Sequence, residues 1–108
     1  MPLYPSARYD NAEFAVATGT TDYDVAANQT NLFGGSTSKV GTAVYYCRIV
    51  TDQTITVKFN STSNDSITIT SSMSPMLMDS VIEVSNIYIT NNSGSSANVK
   101  VLTAKPNF

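Results

Sequence analysis

The chain reads as an all-β protein, an antiparallel two-sheet sandwich or jelly roll of seven to eight short strands. Apolar residues recur with a period of two from Thr42 onward, turn residues punctuate them at short intervals, and no helical periodicity persists over ten residues. A chain of 108 residues holds material for one apolar core, and a sandwich of this size buries about two thirds of its extended-chain surface. The expected organisation is an extended N-terminal arm over residues 1–10 followed by a single β-sandwich domain over residues 11–108.

The arm rests on Pro2-Leu3-Tyr4-Pro5, where two prolines fix extended geometry and withhold ladder donors. Phe14 with Val16, Tyr23 with Val25, and Leu32-Phe33 are weaker strand positions, separated by Thr18-Gly19-Thr20-Thr21 and closed by Gly34-Gly35-Ser36. The Ala-containing residues 10–17 have room for at most two helical turns. From residue 42 to 59, Val44, Tyr46 and Val50 alternate with Tyr45, Cys47 and Ile49, and Ile55, Val57 and Phe59 alternate with polar neighbours. That pattern predicts a β-hairpin around Thr51-Asp52-Gln53, its first strand central and its second wet on one face. Ile67 and Ile69 mark the next strand. Between residues 81 and 89 the apolar parity changes, which predicts a bulge near Ser85-Asn86. The cluster Asn91-Asn92-Ser93-Gly94-Ser95-Ser96 is then the turn of a last hairpin pairing residues 81–90 with 98–103. The expected core is Tyr46, Val57, Phe59, Ile69, Val84, Ile87 and Val101.

Composition excludes several functions. Without His there is no imidazole base and no His metal ligand, so no enzyme, cofactor or metal site is expected. A net charge of −2 opposes a phosphate-bound partner, so nucleic acid is not expected. No run of 18 apolar residues predicts a membrane span, and the first residues lack a secretory signal, so folding in the cytosol is the expectation. The lone Cys47 has no partner for a disulfide and reads as a small core hydrophobe. Asp22 and Asp24 flank Tyr23 and, on a regular strand, would share one face about 6.5–7 Å apart, a separation that suits paired carboxylates or an oxygen-ligated cation, although the expected reading is a solvated strand edge. Gly34-Gly35-Ser36-Thr37-Ser38-Lys39 lacks the spacing of a phosphate loop and reads as a connection. The N-x-S/T triplets at Asn28, Asn60, Asn64 and Asn91 are what chance gives a chain with 10 Asn and 28 Ser plus Thr.

Two segments stand out as contact surfaces. Ser74-Pro75-Met76-Leu77-Met78 reads as a Pro-containing loop with three large apolar residues, either a lid or an interface. Leu3, Tyr4 and Tyr9 supply anchors on the arm. The protein-interface candidates are therefore Leu3, Tyr4, Tyr9, Met76, Leu77 and Met78.

Over residues 54–104, Thr56-Val57-Lys58-Phe59-Asn60, Ile67-Thr68-Ile69-Thr70, Ser85-Asn86-Ile87-Tyr88-Ile89-Thr90-Asn91 and Val99-Lys100-Val101-Leu102 resemble small tailed-bacteriophage virion proteins. The resemblance implies a capsid decoration (cement), head-fibre or tail accessory subunit, located in the virion after assembly in the host cytoplasm. It implies a major capsid or other virion protein as partner and a homo-oligomer, with a trimer favoured. The alternative is a glycan-binding or adhesin-like module, since tyrosines on a sandwich surface can stack on sugars.

Overall fold

The computed structural model describes residues 7–29, 32, 44–71 and 76–106. Its strands are β1 (Ala7–Val16), β2 (Thr20–Asp24), β3 (Val44–Thr51), β4 (Ile55–Phe59), β5 (Ile67–Ile69), β6 (Met76–Val84), β7 (Ile87–Asn91) and β8 (Ala97–Pro106). One helical turn, α1 (Val25–Asn28), follows β2. The strands form two antiparallel four-stranded sheets, ordered β1-β8-β3-β6 and β2-β7-β4-β5. That order is the jelly roll, in which the chain passes from sheet to sheet and the two sheets enclose one core. The first sheet is built from strands of 8 to 10 residues and the second from strands of 3 to 5, and we call them the long and the short sheet.

Alternation decides what each strand buries. From the long sheet Phe14, Val16, Cys47, Ile49, Ala97, Val99 and Val101 point inward; from the short sheet Ile55, Val57, Phe59, Ile69, Ile87 and Ile89 meet them. Phe14 stacks on Tyr23 of β2 with ring centroids 5.5 Å apart, which ties β1 to the opposite sheet. Of the seven expected core residues six are buried, and Tyr46 is the exception. Cys47, one position along, takes the inward place on β3 and is fully buried, so Tyr46 stands half-buried on the outer face. Burial alone pushes the Cys47 thiol up to about 12. As expected, β3 is central, paired with β8 and β6.

Both expected hairpins are corrected. β3 lies in the long sheet and β4 in the short one, so Thr51-Asp52-Gln53 is the start of an arch between sheets. β7 and β8 are separated in the same way, and β4–β5 is the one pair of consecutive strands that share a ladder among the described residues. A hairpin and a short arch give the same period-two sequence, and the difference lies in partners distant in the chain. β3 finds the 10-residue β8 and the 9-residue β6, whereas β4 matches the five-residue β7. The parity change near Ser85-Asn86 has the same origin: it is the crossing from β6 to β7, not a bulge within a strand. The Ala-containing residues 10–16 are strand β1, so residues 7–10 of the expected arm belong to the long sheet. Val25 opens α1, and Leu32 is buried outside any strand.

Polar side chains fasten the arches. The Asn86 Oδ1 accepts from the backbone N–H groups of Ala26 (2.9 Å) and Ile87 (2.7 Å), and its Nδ2 donates to Asp24 Oδ1 at 2.8 Å. Asn60, at φ 72°, accepts from the Ser85 N–H at 2.8 Å. Asn91, fully buried, donates to the carbonyls of Val16 (2.8 Å) and Ser95 (2.9 Å) and accepts from the Ser93 N–H (3.0 Å). Gly19, at φ 84°, turns β1 into β2 and donates its N–H to the Asn91 carbonyl at 2.7 Å.

Candidate functional site

The two outer faces of the sandwich differ in chemistry. On the short sheet, Thr68, Thr56 and Thr90 lie in one row across β5, β4 and β7, and Lys58, Tyr88 and Asp24 lie in the next. Lys58 Nζ sits 3.3 Å from Asp22 Oδ1, and the Asp22 N–H donates to Thr90 Oγ1 at 3.0 Å. This face is hydroxyl-rich and internally paired.

The outer face of the long sheet is partly apolar. Its ladders place Tyr9, Ala104, Tyr46 and Asp79 in one row, Asn11, Leu102, Arg48 and Leu77 in the next, and Glu13, Lys100 and Val50 in a third. Tyr46, Leu102, Val50 and Ala104 are half-buried, and Tyr9 is 65% exposed. An open cleft of about 440 Å³ follows β8 between β1 and β3, with Leu102 and Val50 among its apolar lining and Arg48, Lys100 and Glu13 among its charges. Glu13 is held at its rim, accepting from Asn98 Nδ2 at 2.7 Å. A surface of apolar centre and mixed charge at the border is suited to protein contact.

The expected interface residues fall out as follows. Tyr9 is on the edge strand β1, paired in register with Ala104. Leu3 and Tyr4 lie outside the described residues. The loop expected around Met76, Leu77 and Met78 is corrected to a strand: they start β6, at the edge of the long sheet, paired with Ile49, Arg48 and Cys47. The apolar alternation of β3 already fills one side of that ladder, and a strand beside it covers the backbone that a loop would leave open. Ser74 and Pro75, and the glycine-rich stretch from Gly34 to Lys39, lie outside the described residues. The sequence singles out neither Leu102, Ala104 nor Val50 as surface residues, and it places Tyr46 in the core. The signal was present in β8, where Ala97, Val99, Val101 and Thr103 alternate with Asn98, Lys100, Leu102 and Ala104.

The other candidates have structural duties. Asp22 and Asp24 do not act as a pair. A register irregularity between Thr20 and Tyr23 leaves Asp22 at φ 51° facing Lys58, whereas Asp24 caps α1, accepting from the Ala27 N–H at 3.0 Å. Each Asn of the four N-x-S/T triplets is used in a turn or cap: Asn28 donates to the Asp24 carbonyl, Asn64 to that of Phe59, and Asn60 and Asn91 hold arches. Comparison with protein-family models, with curated proteins and with solved structures finds no match.

Proposed function

We propose that the protein is a non-enzymatic virion subunit, a decoration or cement protein that binds and stabilises a phage capsid. The observation that carries this reading is the asymmetry of the two outer faces: the long sheet presents half-buried apolar residues and Tyr9, while the short sheet presents paired polar groups. A small disulfide-free jelly roll fastened by Asn side chains suits a subunit that folds in a reducing compartment and then docks on a lattice. Its partner is a capsid or other virion protein, and its copies close as a ring, three being the number that fits a threefold position.

The experiment is to add purified protein to phage particles assembled without it and measure bound copies and particle survival on heating. Saturable binding with raised heat resistance supports the reading, and absence of binding overturns it. The glycan-binding alternative has one observation in its favour, Tyr88 on the short sheet between Lys58 and Asp24, and a glycan array with Tyr88→Ala as control tests it.

A further inference from the structure

We infer that the cleft along β8 holds an extended segment of a partner protein, one that carries a carboxylate and an aliphatic side chain two residues apart. The inference deepens the proposed function, resting on the reading that the outer face of the long sheet binds protein chains. The cleft, about 440 Å³ in volume, takes in two successive rows of that face. In one row Leu102 of β8 lies opposite Arg48 of β3, and in the next Lys100 lies opposite Val50. Each row therefore offers one cation and one apolar side chain, in reversed order, so Arg48 and Lys100 stand on one diagonal and Leu102 and Val50 on the other. Such diagonals are about 7–8 Å long, which lets both long side chains converge on a single carboxylate set between them.

Charge and width select the occupant. Arg48 and Lys100 are both exposed, and neither has an ion-pair partner among the described residues, where Lys58 pairs with Asp22. Glu13 stands directly opposite Lys100 on β1, yet its carboxylate is engaged by Asn98 Nδ2 at 2.7 Å. In a chain of net charge −2, two such cations around the half-buried Leu102 and Val50 make a local positive site with an apolar centre. Its complement is an acid beside an aliphatic group. A bare anion would leave Leu102 and Val50 uncovered, and a purely aliphatic ligand would leave the cations unmatched. The side chains of β1 and β3 face each other across β8, two strand spacings or about 10 Å apart, whereas an α-helix with its side chains is about 10–12 Å across. In an extended chain, residues two apart point the same way at about 6.5–7 Å, which is also the spacing of the two rows along β8. One side chain then packs on Leu102 while the other brings its carboxylate to Lys100 and Arg48.

The test is a backbone-amide NMR titration of the full chain with the synthetic peptide acetyl-Ser-Leu-Ser-Asp-Ser-amide, which detects weak binding and maps where it occurs. The expected shifts centre on Asn11, Arg48, Val50, Lys100 and Leu102 and saturate at millimolar peptide. Arg48→Gln with Lys100→Gln should weaken binding about tenfold, and Asn in place of Asp in the peptide should do the same. Glu13→Gln should leave binding in place or tighten it, since it removes a like charge. No binding, shifts centred elsewhere, equal binding of the Asn peptide, or the same shifts from inorganic phosphate alone overturns the inference. The change of peptide alters nothing in the protein, so it decides the matter even if the double variant fails to fold. Particle uptake separates this inference from the proposed function. Particles that take up the Arg48→Gln, Lys100→Gln protein at the wild-type level would sink the inference and leave the function standing, and peptide binding without particle uptake would do the reverse.

Discussion

At the scale of single residues, three side chains carry tests of the core and the arches. Phe59 closes the end of the short sheet beside Ile87. Phe59→Ala should cost about 3–5 kcal/mol, a large part of the 5–15 kcal/mol typical of a domain, read as a shift in urea midpoint. Asn91 satisfies two carbonyls and one N–H from a buried position, so Asn91→Ala should cost about 1–3 kcal/mol for each group left buried and unpaired. Thermal melts of Asn91→Ala and Asn91→Asp should both fall well below wild type. Cys47 binds its proton more tightly in the native state, with a pKa of about 12 against an ordinary 9.0. Its contribution is therefore whole below about pH 9 and is lost as pH rises from there towards 12, at up to about 1.4 kcal/mol for each pH unit. Wild type should lose more stability over that window than Cys47→Val, measured by urea unfolding at stepped pH, and the native thiol should resist alkylation at pH 8.

At the scale of elements, sequence and structure agree wherever one strand decides its own faces. Ile55, Val57 and Phe59, or Ile87 and Ile89, can be read directly, because period two and burial coincide. Pairing is not legible in the same way: the arch at Asp52 and the crossing at Ser85-Asn86 repeat the local grammar of hairpins, and only remote partners tell them apart. The same limit explains the residues of the long sheet's outer face. Leu102 and Ala104 belong to a surface only because β1 and β3 flank β8, a fact held in residues some 50 to 90 positions away. α1 was missed because four residues show no periodicity; its visible trace is Asp24, an N-cap residue before Val25-Ala26-Ala27. Asp24→Ala removes the cap and the partner of Asn86 together, and should cost about 0.5–2 kcal/mol, while Asp24→Asn keeps most of it. Chemical denaturation of the pair distinguishes the two.

At the scale of the whole molecule, the jelly roll has one ladder between consecutive strands, β4–β5, among the described residues. Every other pairing closes a longer loop before it gains contacts, so folding should take milliseconds to seconds and not microseconds, as stopped-flow refolding would show. The same topology divides the surface into a polar face and a partly apolar face, and the account stands on the second being the one that meets other proteins. The most direct measurement is occupancy of particles assembled without this protein by two folded variants, one altered on each outer face. Leu102→Lys with Arg48→Glu, on the long sheet, should abolish binding, while Thr56→Lys with Thr68→Lys, on the short sheet, should leave occupancy at the wild-type level. Full occupancy by the first variant, with loss in the second, would contradict the account.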